Sequence, residues 1–306
     1  MNKQYIVGLV LVAVLGSAAF AYFHTKPVET AHTNKMQVVA SFYPMYFFAS
    51  QIGGEKVQVS NITPSGAEPH DFEPSTQDVA KIQSAKLLVL NGSVEAWGPK
   101  IQEQLKGTPT LVVIAGQGLT TKQLAENGAV MSDPHVWLDP VLAKQEVHAI
   151  ALALAKVDPT NEGYYLTNEA ALDAKLDETD AQYHAGLNQC VKKDIITSHA
   201  AFAYLSERYG LTQVPIDGLS PDAEPSPAQL ADVVKFAKAH GVTYIFFESL
   251  VSPKLSQTIA SEVGAKTVVL DPIEGISDQD QAAGQDYFSV MSNNLKSLQT
   301  ALKCPN

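Results

Sequence analysis

The sequence predicts an α/β protein with two lobes, each a small, mostly parallel sheet flanked by helices, joined by one long rigid helix. Three observations carry this. Short Val/Leu/Ile-rich runs alternate with helical segments from Met36 onward, the rhythm of a parallel sheet with helices on both faces. The longest helical pattern, Glu162–Leu187, falls at mid-chain, and the alternation resumes in similar order after Cys190.

In the first half, Met36–Ser41, Val57–Ile62, Leu87–Leu90 and Leu111–Ile114 read as buried strands. A helix follows Ser75, an N-cap with Asp78 three residues on, and runs to Ser84; another covers Val94–Leu105. Gly116–Ser132 lacks any strong period and is expected to be a loop. Pro140–Val157 is amphipathic, with Leu142, Val147, Ile150, Leu154 and Val157 at helical spacing, and stops at Asp158-Pro159. The mid-chain helix carries a narrow apolar stripe of Leu166, Leu172, Leu176, Tyr183 and Leu187. It is not Gly/Ser-rich, so it reads as a stiff connector. In the second half, Asp194–Thr197, Gln213–Ile216, Tyr244–Phe247 and Thr267–Leu270 are expected strands. Ala201–Tyr209, Pro227–His240, Pro253–Val263 and Tyr287–Lys303 are expected helices, with Gly210, Gly241 and Gly264 at C-terminal caps. The expected organisation is 1–35 as export signal or anchor plus tether, 36–158 as one lobe, 159–189 as the connecting helix and 190–306 as the other lobe.

The formal net charge of −11 argues against a nucleic-acid or anionic-membrane surface, which needs clustered Lys and Arg. Lys3 followed by the apolar run Tyr5–Phe23, with Ala19-Phe20-Ala21 as a small-x-small site, reads as an export signal peptide. The run is also long enough for an uncleaved membrane anchor. No Cys lies near its end, which counts against a lipoprotein. Both readings place the folded part outside the cytoplasm, in the periplasm or at the cell surface. There the only two cysteines, Cys190 and Cys304, are expected to form one disulfide, against the alternative of two free thiols.

Four loops each present one metal-competent side chain: His70 in G-A-E-P-H-D-F-E-P, His135 in D-P-H-V-W-L-D-P, His199 in I-I-T-S-H and Asp271 in V-V-L-D-P-I-E. All follow, or face, the carboxyl ends of expected strands, where ligands bind in open α/β sheets. Two come from each half, so a cleft between the lobes can collect them. Three imidazoles and a carboxylate suit Zn²⁺, and with a further carboxylate oxygen Mn²⁺. Glu274, three residues past Asp271, competes for the fourth place. Asp71 and Asp139 are candidates to accept the second imidazole N–H, and Glu248 to line the cleft or hold a ligand. His148 and His184 lie inside helices, His240 ends one, and His24 and His32 fall in the tether; all five read as non-ligands.

In this order, G-A-E-P-H-D-F-E-P-S, D-P-H-V-W-L-D-P, I-I-T-S-H-A-A-F-A-Y-L-S-E-R-Y-G-L and V-V-L-D-P-I-E-G resemble the zinc/manganese-binding solute-binding proteins of ABC importers. The resemblance spans Met36 to Cys304. It implies one divalent cation between two lobes, held by His70, His135, His199 and a fourth ligand, Asp271 slightly preferred to Glu274. It also implies a monomer that delivers its cation to a membrane permease and its ATPase subunit. The chain departs from the family's pattern in its missing lipobox cysteine and its short, His-free 116–132 segment. Retention of His199, where several manganese-specific members carry Glu, favours Zn²⁺ over Mn²⁺. The competing reading is an extracytoplasmic zinc hydrolase using the same three histidines, a metal-bound water and Glu248 or Glu274 as base. Against it, no H-E-x-x-H occurs; nor does the G-x-S-x-G of a serine hydrolase.

Overall fold

The computed structural model describes residues 35–126, 129–221 and 225–305. The apolar run Tyr5–Phe23 and the expected cleavage site at Ala21 lie outside the described residues. Lys35–Asn306 forms one compact unit. Among the described residues, no helix is long and apolar enough to cross a membrane.

The first lobe contains β1 (Met36–Ala40), β2 (Val57–Asn61), β3 (Leu87–Leu90) and β4 (Leu111–Ile114), all parallel in the order β2-β1-β3-β4. Its helices are α1 (Tyr43–Gly53), α2 (Thr76–Ser84) and α3 (Gly98–Gln104). Segment 116–132, expected to be a loop, contains the antiparallel hairpin β5 (Gln123–Glu126) and β6 (Ala129–Ser132). Helix α4 (Pro140–Val157) follows, and the long connecting helix is α5 (Glu162–Leu187). The second lobe has β7 (Asp194–Thr197), β8 (Thr212–Pro215), β9 (Tyr244–Phe247) and β10 (Lys266–Val269), parallel in the order β10-β9-β7-β8. Around them lie α6 (Ala203–Tyr209), α7 (Pro227–His240), α8 (Lys254–Val263), α9 (Asp278–Ala282) and α10 (Tyr287–Leu302).

Local chemistry sets many of the boundaries. Ser75 and Asp78 form a reciprocal capping box on α2, and Ser226 with Gln229 does the same on α7. Gly241 and Gly264 end α7 and α8 in the left-handed conformation, with φ of 58° and 70°, which a Cβ would disfavour. The 26-residue α5 is about 39 Å long. Its buried stripe is Tyr165, Glu169, Leu172, Leu176, Thr179, Tyr183 and Leu187, so Tyr165 takes the place expected of Leu166, which is exposed. The helix packs on α1, α4 and α10. One apolar core therefore runs from Val38 and Phe48 in the first lobe to Phe246 and Leu298 in the second, with a smaller cluster in each lobe. Trp137 stitches the lobes directly: its Nε1–H donates to the Pro272 carbonyl at 2.8 Å, and its own carbonyl accepts from the Tyr287 hydroxyl at 2.6 Å.

One buried carboxyl in α4 is incompletely satisfied. Glu146 accepts from Asn91 Nδ2 at 3.0 Å, while its Oε2 is buried without a partner. Burial, aided by the charge of Glu95, pushes its carboxyl up to about 8. The folded state thus holds a proton that the unfolded chain loses above about 4.5. The group's contribution is fully present below that pH and is lost as pH rises toward 8. Glu146→Gln cannot titrate, so its stability relative to the parent protein should grow between pH 4.5 and 7 by on the order of 3 kcal/mol. Denaturant titrations of both proteins across that range check this; a pH-independent difference would refute it.

Candidate metal centre

Three of the four ligand loops leave the carboxyl ends of parallel strands. His70 lies on the loop after β2, His199 two residues after β7, and Asp271 and Glu274 on the loop after β10. His135 sits between β6 and the short turn Val136–Leu138. The structure brings His70, His135, His199 and Glu274 together, with one donor atom from each inside a 4.8 Å sphere of mutual distances. His135, His199 and Glu274 are buried and His70 is partly exposed.

The donor geometry is specific. His135 Nε2 lies 3.3 Å from both His70 Nε2 and His199 Nε2. Glu274 Oε1 is 3.1 Å from His70 Nε2, 3.1 Å from His135 Nε2 and 3.5 Å from His199 Nε2. A tetrahedral ion with bonds of about 2.0–2.1 Å needs donors about 3.3 Å apart. Five of the six donor separations, 3.1–3.5 Å, already stand near that spacing, and all four atoms lie within 4.8 Å of one another.

Two imidazoles are oriented from behind. His199 Nδ1 is 2.7 Å from Glu248 Oε1, and His135 Nδ1 is 2.8 Å from Asp133 Oδ1. With Nδ1–H donated to a carboxylate, each ring in its neutral form turns its Nε2 lone pair toward the centre. Burial opposes charging these rings, but their carboxylate neighbours outweigh it. His199 is held well above the ordinary histidine value by Glu248 and Glu274, and His135 is raised by Asp133 and Glu274. Conversely, burial would raise Glu274, yet His199, His135 and His70 hold its carboxyl well below the usual range. The centre is a buried anion surrounded by proton-hungry imidazoles, and a divalent cation satisfies all four groups at once.

Asp271 does something else. Its Oδ1 accepts from the Ile273 N–H at 2.7 Å, its other oxygen from the Ser249 hydroxyl, and its backbone is clamped on both sides by the Asn294 amide. Ile273 has φ of 60°, a conformation costly for a β-branched residue. Asp271 thus braces a strained turn, and Glu274 is the carboxylate on that turn whose oxygen meets the imidazoles. Of the expected outer partners, Glu248 contacts His199, whereas Asp71 and Asp139 contact no imidazole. Asp71 is exposed and accepts from Ser220 Oγ at 3.2 Å. Asp139 caps α4 through the Val141 N–H and pairs with Arg208 Nε at 2.6 Å. Asp133 was not singled out in the sequence. The available signal is its place two residues before a histidine across a proline, the spacing Glu68 has to His70.

The family described as “ZnuA: Zinc-uptake complex component A periplasmic” matches residues 38–301. The chain is 41% identical over 304 residues to the high-affinity zinc uptake system protein ZnuA of Bacillus subtilis (strain 168), covering 95% of this chain and 94% of that protein. It is 40% identical over 276 residues to the zinc-binding lipoprotein AdcA of Streptococcus pneumoniae (strain R6), covering 86% of this chain but only 55% of AdcA. The crystal structure of the Zn(II)-bound ZnuA-like domain of Streptococcus pneumoniae AdcA superposes with a TM-score of 0.76 at 41% identity, covering 88% of this chain and 99% of that domain.

Proposed function

The chain belongs to the ZnuA family of periplasmic zinc-uptake components, and from this premise we propose that it captures Zn²⁺ between its lobes with His70, His135, His199 and Glu274. It is a solute-binding protein of an ABC importer and not an enzyme; the hydrolase reading is not supported. The carrying observation is the convergence of three Nε2 atoms and one carboxylate oxygen, with five of their six separations at 3.1–3.5 Å. A protein carboxylate stands where a hydrolase would place its water. Three borderline imidazoles and a single near oxygen favour Zn²⁺ over the harder Mn²⁺.

The cation passes to a membrane permease powered by an ATPase subunit, and the protein works as a monomer outside the cytoplasm. The lobes are 36–158 and 190–306, with 159–189 between them. The apolar N-terminal run directs export or anchors the chain. Chelator-competition titration tests the reading: one Zn²⁺ per chain should bind far more tightly than Mn²⁺. Failure to bind either ion better than about micromolar, roughly −8 kcal/mol, would refute it.

Binding should also release protons. Raised imidazole values mean that His199 and His135 hold protons above the ordinary histidine pKa in the ion-free protein, and the ion must displace them. Apparent Zn²⁺ affinity should therefore fall as pH is lowered from about 8 to 6. Calorimetry in buffers of different ionisation enthalpy reads the proton count directly; zero release at pH 7 would contradict this electrostatic picture.

A further inference from the structure

Two of the three site histidines share a local turn. In Asp133-Pro134-His135 the histidine N–H donates to Asp133 Oδ1 at 3.0 Å. In Glu68-Pro69-His70 the histidine N–H donates to Glu68 Oε1 at 3.2 Å. Beyond the turn they differ. Asp133 also holds the Nδ1 of its histidine, and Glu248 holds that of His199. His70 Nδ1 makes no hydrogen bond among the described residues, while Glu68 Oε2 is buried without a partner. A buried carboxylate oxygen left alone is costly, and here it lies two residues from an unpaired ring nitrogen.

We propose that Glu68 is the positioning partner of His70 in the cation-loaded site, its Oε2 accepting the His70 Nδ1–H and completing a carboxylate–histidine pair behind each of the three imidazoles. This rests on the Zn²⁺-site assignment above. Without the ion, His70 Nε2 lies 3.1 Å from Glu274 Oε1, a hydrogen-bond distance that the Nε2–H tautomer satisfies. A cation on Nε2 forbids that tautomer and requires the neutral ring to carry its proton on Nδ1. The new Nδ1–H, polarised by the ion, needs an acceptor, and Glu68 Oε2 is the free one. The extra methylene of Glu68 relative to Asp133 lets the carboxylate keep the turn in both states and reach the ring only when the ion is bound.

The test compares Glu68→Gln with Glu68→Asp in the whole protein. Gln keeps an acceptor for the His70 N–H but presents an amide donor in place of Oε2; Asp reproduces the Asp133 turn. Zn²⁺ affinity should fall about 10–100-fold in Glu68→Gln and stay within a few-fold of the parent in Glu68→Asp. Circular dichroism of ion-free Glu68→Gln should match that of the parent protein. In long-range ¹H–¹⁵N spectra of the Zn²⁺-loaded parent protein, His70 should show a slowly exchanging Nδ1–H that is lost in Glu68→Gln. Parental affinity and an unchanged His70 signal in Glu68→Gln would overturn the pairing, as would equal losses in both variants. His199→Ala in the same series separates the claims: parental affinity there sinks the site itself, whereas loss there without loss in Glu68→Gln sinks only the pairing.

Discussion

Glu274→Ala is expected to weaken Zn²⁺ binding by more than about 100-fold, exceeding the usual effect of losing a partner behind a ligand. The carboxylate is the only anionic donor among the four, and its Oε1 lies within 3.5 Å of all three Nε2 atoms. Removing it takes away one ligand and the charge that offsets the ion, leaving three neutral imidazoles and an opening for water. Asp271→Ala should be much milder. It removes hydrogen bonds that brace the turn at Ile273, each worth about 1 kcal/mol, so the affinity loss should stay near tenfold. Chelator-competition titration of both variants at one pH decides between the two carboxylates; the reverse order of effects would assign the fourth ligand to Asp271.

The largest effect on stability is expected from the disulfide. Cys190 follows α5 and Cys304 follows α10, and their bond spans a sequence separation of 114. A loop of that length is worth about 4–5 kcal/mol in the chain-entropy account, with measured values often lower. The double variant Cys190→Ser/Cys304→Ser avoids a stray thiol and should lose up to that amount in denaturant unfolding. Its Zn²⁺ affinity should match the parent protein, because the carboxylates and turns that hold the ligand side chains involve neither cysteine. A loss below about 1 kcal/mol would mean that the join between α5 and α10 is held without the bond. The Lys192 N–H to Leu302 carbonyl contact at 3.0 Å and the Val191 N–H to Lys303 carbonyl contact at 3.5 Å beside it are ties that would remain.

Much of this architecture could be read from the residues because boundary chemistry was explicit. Pro140–Val157, Glu162–Leu187 and Pro227–His240 end where proline, caps and glycine dictate. Helix α1 was not legible. Tyr43, Met45, Phe47, Phe48, Ala49 and Ile52 are all buried, so the segment has no polar face to produce a helical period. The β5–β6 hairpin was hidden because four-residue strands next to Gly-rich sequence give almost no alternation. On α5 the sequence pointed to Leu166, while the packed face uses Tyr165 one position away; a hydroxyl made the residue look like surface, yet that hydroxyl donates to Asp158 at 2.7 Å.

The site divides in the same way. The three histidines stood out because each sits alone on a short loop, two of them behind a proline, and the fold brings all three to one point. The choice between Asp271 and Glu274 was not available from spacing. It depends on a left-handed Ile273, on Ser249 from the loop after β9 and on Asn294 of α10, which together occupy Asp271. Asp133 escaped notice because a carboxylate two residues before a histidine is unremarkable until the turn folds it back onto the ring.

An anomalous difference map at the zinc absorption edge, from crystals of the Zn²⁺-loaded protein, tests the central claim most directly. The account predicts one peak per chain, with Nε2 of His70, His135 and His199 and a Glu274 oxygen each about 2.0–2.2 Å away. A peak ligated by Asp271 or by water in the fourth position, or no peak among these residues, would contradict it.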